Sequence, residues 1–146
     1  MLSVTADHAL RAVLFLGREH ARCPVPAEEI AGAIGAPANY LSKTLNTLAK
    51  AGVLVSVAGR QGGFSLAVPP YRLTLARIVT VFDQPSPPGR CLLGDRPCDP
   101  ATPCSAHRRW TAISHSYLGA LQTTTIADLL GGSSPHRRLL NAQSIR

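Results

Sequence analysis

The chain opens on a helical repeat. Leu10, Val13, Leu14 and Gly17 recur at i, i+3, i+4 and i+7, and Leu16 widens the apolar side, which predicts a helix over 5–20. Ser3 or Thr5 stands where a capping hydroxyl is wanted, and Asp7 falls in the first turn, where negative charge suits the helix dipole. Cys23-Pro24-Val25-Pro26 breaks the period and reads as a spacer. A short helix is predicted over 27–34, with Gly35 fitted to its C-terminal turn. Pro37 then opens a longer helix that runs to Lys50. Leu41, Leu45 and Leu48 share one face of it; Asn39, Lys43, Asn46 and Lys50 share another.

The pattern changes after Gly52. Residues 53–57 and 64–68 are β-rich runs on either side of Ala58-Gly59-Arg60-Gln61-Gly62-Gly63, which predicts a hairpin with a flexible, cationic tip. Pro69-Pro70 ends it, and Thr74 starts a helix carrying Leu75, Ile78, Val79 and Phe82. A loop rich in Pro and Gly follows. Helical spacing returns over 105–123, where Trp110, Ile113, Tyr117 and Leu121 repeat, and residues 125–130 make a last helical turn. From Gly131 the tail is Gly/Ser-rich and basic, the composition of a flexible segment.

Two short helices, a tight turn, a longer helix with a polar face and then a hairpin make a winged helix-turn-helix. The expected fold is therefore mostly α with a small β-hairpin. Its DNA-reading domain spans 1–82, with the helix-turn-helix at 27–50 and the wing at 53–68. A cysteine-bearing loop covers 83–104, a dimerisation helix and C-terminal turn 105–130, and the tail 131–146. The 105–123 helix holds the chain's one Trp and is the candidate for dimerisation, with packing inside the chain as the alternative. Asn39, Tyr40, Ser42, Lys43 and Asn46 on the second helix of the motif can donate to phosphates or bond base edges, as against an ordinary solvated face. Arg60 and Gln61 at the wing tip can reach backbone or minor groove.

Composition agrees with this reading. Of 146 residues, 45% are hydrophobic, enough for a core, and fifteen Lys+Arg against eight Asp+Glu leave a formal charge of +7. That balance favours a polyanionic partner such as double-stranded DNA. No run approaches the ~18 apolar residues of a membrane span, so no membrane partner is expected. The N-terminus lacks the early basic run of a secretory signal. A cytoplasmic location is expected, and in that compartment clustered cysteines bind metal or do redox chemistry rather than form disulfides.

Such a cluster exists. Cys91, Cys98, Cys104 and His107 lie within seventeen residues on the predicted loop. Soft ligands gathered there fit an iron–sulfur cluster, and zinc is the alternative, as a closed three-Cys, one-His site. Zinc loops usually pair ligands in a tight Cys-x2-Cys knuckle, and here only Cys104 and His107 are that close. Cys23, alone before a proline, reads as a bystander. An enzymatic role is disfavoured: the chain has no Cys-x-x-Cys pair and no Gly-rich nucleotide loop.

The chain resembles the winged-helix iron–sulfur regulators of the IscR/NsrR/RirA family. The resemblance is carried by Thr5-Ala6-Asp7-His8-Ala9-Leu10-Arg11-Ala12, Asn39-Tyr40-Leu41-Ser42-Lys43, Gly59-Arg60-Gln61-Gly62-Gly63-Phe64-Ser65-Leu66, Leu73-Thr74-Leu75, the spaced cysteines and Thr124-Thr125-Ile126-Ala127-Asp128-Leu129. It implies a homodimeric transcriptional regulator, a repressor, that sets its recognition helices in the major groove of a near-palindromic operator. It also implies a [4Fe–4S] or [2Fe–2S] cluster that senses nitric oxide, redox stress or iron status. The three cysteines would be ligands, and the fourth position falls to His107 or to Asp7 from the other subunit. Two departures bear on DNA reading: Ser42 stands where some members carry an acid, and Ala58 where many carry an arginine, so Arg60 takes that part here.

Overall fold

The computed structural model describes residues 2–84 and 99–131. Helix α1 runs Val4–Arg18. Ser3 caps it: its hydroxyl accepts the Ala6 N–H at 3.1 Å. The most deeply buried side of α1 is Ala6, Ala9, Ala12, Val13 and Leu16, while Leu10 and Leu14 are half-buried. The face is thus turned toward the alanines, because small side chains let α1 lie close against its neighbours. Helices α2 (Ala27–Ile34) and α3 (Ala38–Lys50) pack against it. Gly35, at φ +70°, makes the left-handed turn between them. Pro37 is the residue before α3 and not its first helical position.

Strands β1 (Leu54–Val57) and β2 (Gly63–Leu66) pair antiparallel, Leu54 opposite Leu66 and Val57 opposite Gly63. The structure adds a third partner that the sequence reading left as a spacer. Val25 donates to the Phe64 carbonyl at 3.0 Å and accepts the Phe64 N–H at 2.8 Å. Pro24 and Pro26 have no N–H, so the pairing is limited to this one residue. The bridge explains Gly63, and the hairpin's own turn explains Gly62. A Cβ on Gly63 would sit 2.2 Å from the Val25 carbonyl oxygen, and one on Gly62 would sit 2.1 Å from that of Val57.

Helix α4 covers Leu75–Val79, capped by Thr74. Helices α5 (His107–Thr123) and α6 (Ile126–Gly131) complete the described chain. The Leu75 N–H donates to the Thr124 carbonyl at 3.0 Å and the Ile126 N–H to that of Leu73 at 2.8 Å. Ile126 is fully buried in the core formed by α1, α3 and the wing base, and Leu130 packs where Gly17 has no side chain. The C-terminal end of α5 is therefore fastened to the helix-turn-helix unit. The predicted mostly helical fold with one hairpin is the fold observed. The loop positions 85–98 and the tail from 132 lie outside the described residues.

Candidate functional site

Helix α3 divides into two faces. Leu41, Thr44, Leu45 and Leu48 are buried, and the Thr44 hydroxyl is satisfied by the Tyr40 carbonyl at 3.2 Å. Asn39, Lys43 and Asn46 are exposed, and Ser42 is half-buried. Arg60 and Gln61 are exposed at the wing tip, where a Gly62 N–H to Gly59 carbonyl bond of 3.0 Å closes the turn. From Ile30 to Phe82 the chain contains no Asp or Glu, while Lys43, Lys50, Arg60, Arg72 and Arg77 fall in this stretch. The ion pairs among the described residues engage Arg11 and Arg22 instead. The recognition helix and wing therefore carry positive charge with no acid from their own segment to cancel it, as phosphate binding requires.

Tyr40 differs from its neighbours. Its hydroxyl is hydrogen-bonded to the Thr5 hydroxyl of α1. Its ring meets His8 edge-on, with centroids 5.9 Å apart and planes at 72°. The sequence reading placed Tyr40 among the DNA contacts, offered Thr5 only as an alternative to the Ser3 cap, and did not single out His8. Their spacing held a signal: Thr5 and His8 lie at i and i+3 on one face, while Asp7 and Arg11 lie at i and i+4 on another.

The metal-ligand candidates divide between described and undescribed residues. Cys91 and Cys98 lie outside the described residues. Cys104 is free and exposed, and His107 is the first residue of α5. The two share a turn: the His107 N–H donates to the Cys104 carbonyl at 3.0 Å. They border a cleft of about 500 Å³ with Pro100, Pro103 and Arg108. The His107 Nδ1 is buried without a partner among the described residues. Asp7 is already engaged, with Oδ2 2.9 Å from the Arg11 Nε. Among the described residues no three His, Cys, Asp or Glu side chains gather as a metal site. What is present, an exposed thiol and an imidazole nitrogen without a partner on one turn, fits half of a four-ligand set. Cys23 lies elsewhere, its thiol donating to the Glu19 carbonyl at 3.5 Å; burial, and then the charge of Glu19, push its pKa up, which suits an inert thiol.

Residues 2–132 match the family Rrf2, described as iron-dependent transcriptional regulators. The chain belongs to the Rrf2 family. An rrf2-like HTH-type transcriptional regulator of Rhodobacter capsulatus is 33% identical over 96% of this chain and 99% of its own length. The IscR regulator of Vibrio cholerae is 27% identical over 88% of this chain and 74% of its own. Among solved structures, CymR, the global cysteine regulator of B. subtilis, superposes with a TM-score of 0.74 at 24% identity, over 92% of this chain and 98% of its own. IscR of T. potens superposes with a TM-score of 0.71 at 25% identity, over 92% and 88%. This Rrf2 chain is a winged-helix transcriptional regulator and not an enzyme. None of its described helices is long and apolar enough to cross a membrane.

Proposed function

We propose that this Rrf2 regulator is a cytoplasmic, homodimeric repressor whose operator binding is set by an iron–sulfur cluster on the loop 91–107. The carrying observation is the Cys104–His107 turn at the start of α5. It joins a free thiol and an imidazole nitrogen that has no partner among the described residues to the helix that exposes Ile113 and Tyr117. Cys91 and Cys98 would supply the other thiolates. We assign the fourth position to His107, since Asp7 is held by Arg11. His107, Arg108 and Arg109 also crowd the positive end of the α5 dipole with no acid in that turn. Thiolates beside that end would offset an arrangement that is otherwise unfavourable.

When bound, the cluster supplies iron open to nitric oxide and oxidants, and bonds that close the loop. The protein does the rest. Ile113 and Tyr117 would pair α5 with its twin, Asn39, Ser42, Lys43 and Asn46 would enter the major groove, and Arg60 and Gln61 would reach from the wing. A change in the loop at the head of α5 would alter the spacing of the two recognition helices, a two-state response of the kind cofactor loss can drive.

The test is purification without air, followed by iron, acid-labile sulfide and zinc analysis. Affinity is then measured for a duplex selected by the protein from a random pool, at one salt concentration, before and after nitric oxide. The expected result is a brown protein whose affinity changes at least tenfold. A colourless protein holding one zinc per chain, or equal affinities, would overturn the sensing role.

A further inference from the structure

We infer that Tyr40 is a positioning residue for DNA reading rather than a base contact. Through it the first turn of α1 sets the pose of α3, and Asp83 ties that turn to the base of the cysteine-bearing loop. The linkage to the loop rests on the function proposed above; the contacts do not. Asp83 stands just before the segment that carries Cys91 and Cys98 and is fixed to the end of α4, its N–H donating to the Val79 carbonyl at 2.8 Å. Its Oδ2 accepts the Ser3 N–H at 2.7 Å, eighty positions away in sequence. Ser3 in turn caps α1. Burial and then the Asp83 charge raise the pKa of Tyr117 in α5. One side chain, Asp83, thus joins the loop base to the start of α1.

The same turn of α1 grips the recognition helix. Thr5 bonds the Tyr40 hydroxyl and His8 packs edge-on against its ring, so the hydroxyl is already committed. Asp7, between them in sequence, faces away and pairs with Arg11. The first turn is therefore two-sided, with a face toward α3 and a face free to meet other groups. The His8 Nδ1 is buried with no partner among the described residues. Tyr40 lies in the first turn of α3, beside Asn39, Ser42 and Lys43, so a small movement there is passed directly to the residues that read DNA.

The experiment is a double-mutant cycle on the full chain, cluster-free, binding the selected duplex. Tyr40→Phe keeps the ring and removes the hydroxyl; Asp83→Asn keeps the shape and removes the charge. Each single variant is expected to shift affinity roughly three- to tenfold, and the double variant no further than the larger single. Thr5→Val should reproduce Tyr40→Phe, which guards against a folding defect in either variant. Multiplicative effects in the double variant, or no effect of either single, overturn the relay. The ratio of affinities with and without the cluster is read in parallel. A wild-type ratio of one sinks the sensing role and leaves the cycle to judge the relay, whereas a large ratio unchanged in Tyr40→Phe sinks the relay.

Discussion

Helices α1 and α5 are the two longest in the described chain, fifteen and seventeen residues, and they are buried very differently. α1 buries five residues against α2, α3, α4 and α6. α5 buries Leu121 alone; Ile113 is 59% exposed and Tyr117 38%. The contrast lies in what each helix is offered. α1 presents alanines that admit close neighbours on several sides. α5 packs against α4 and is fastened at its C-terminal end, through Thr124 and Leu121, while Ile113 and Tyr117 of its apolar repeat stay exposed. A half-covered apolar stripe on a long helix is what the proposed pairing of α5 with its twin would cover. The core around α1 is closed on all sides, with Ile126 of α6 inside it, whereas the outer side of α5 stays uncovered within the described residues.

That difference is easiest to break in the core. Leu45→Ala in α3 opens a cavity in a fully buried site and should cost about 3 kcal/mol of unfolding free energy in urea, at any protein concentration. Ile113→Ala in α5 should cost the isolated subunit under ~0.5 kcal/mol. Ile113→Asp should instead change the assembly, giving a subunit-sized species in sedimentation with intact far-ultraviolet circular dichroism. Equal losses for Leu45→Ala and Ile113→Ala at high dilution would show that α5 is packed within its own chain. Gly63→Ala tests the wing base. Its Cβ would collide with the Val25 carbonyl from a backbone at φ +153°, and roughly 2–3 kcal/mol should be lost. Full stability in this variant would mean that the Val25 bridge is dispensable.

The two regions were also unequally legible. The helix-turn-helix and wing follow from local periodicity and turn residues, which sit within a few positions of each other, and their boundaries shift only by one or two residues. The deep face of α1 was harder to see, because alanines bury well without announcing an apolar stripe. The Val25 bridge was hidden by the prolines that confine it. Cys104 and His107 were picked out together by their spacing, three residues apart, and they share one turn at the head of α5. The contacts of Tyr40 with Thr5 and of Asp83 with Ser3 join positions 35 and 80 residues apart, and no local pattern encodes them.

Electrostatics sharpens the contrast on the reading side. Lys43→Ala and Arg60→Ala should each lower affinity for the selected duplex and reduce the slope of log affinity against log salt by about one. Arg109→Ala, at the head of α5, should leave that slope unchanged. An unaltered slope in both of the first two variants would mean that the DNA-facing surface has been assigned to the wrong side of α3.

The smallest effect concerns α6, which holds the end of α5 to the core. The Asp128 carboxylate accepts both the Thr125 N–H and the Thr125 hydroxyl at 2.8 Å, and the hydroxyl accepts the Asp128 N–H at 3.2 Å, a reciprocal cap. The Thr125 backbone bond, followed by the hydroxyl bond, lowers the Asp128 pKa below its usual value. A carboxylate depressed in the folded state contributes stability above its unfolded pKa of about 3.9 and loses that contribution as pH falls through the folded value. Asp128→Asn should therefore lower Tm slightly at pH 7 and flatten its decline between pH 5 and pH 2. The side chain is fully exposed, so solvent screening keeps the effect small. If Tm instead fell by the same amount at every pH, the cap would depend on the shape of the side chain and not on its charge. The fastening of α5 would then be independent of acid.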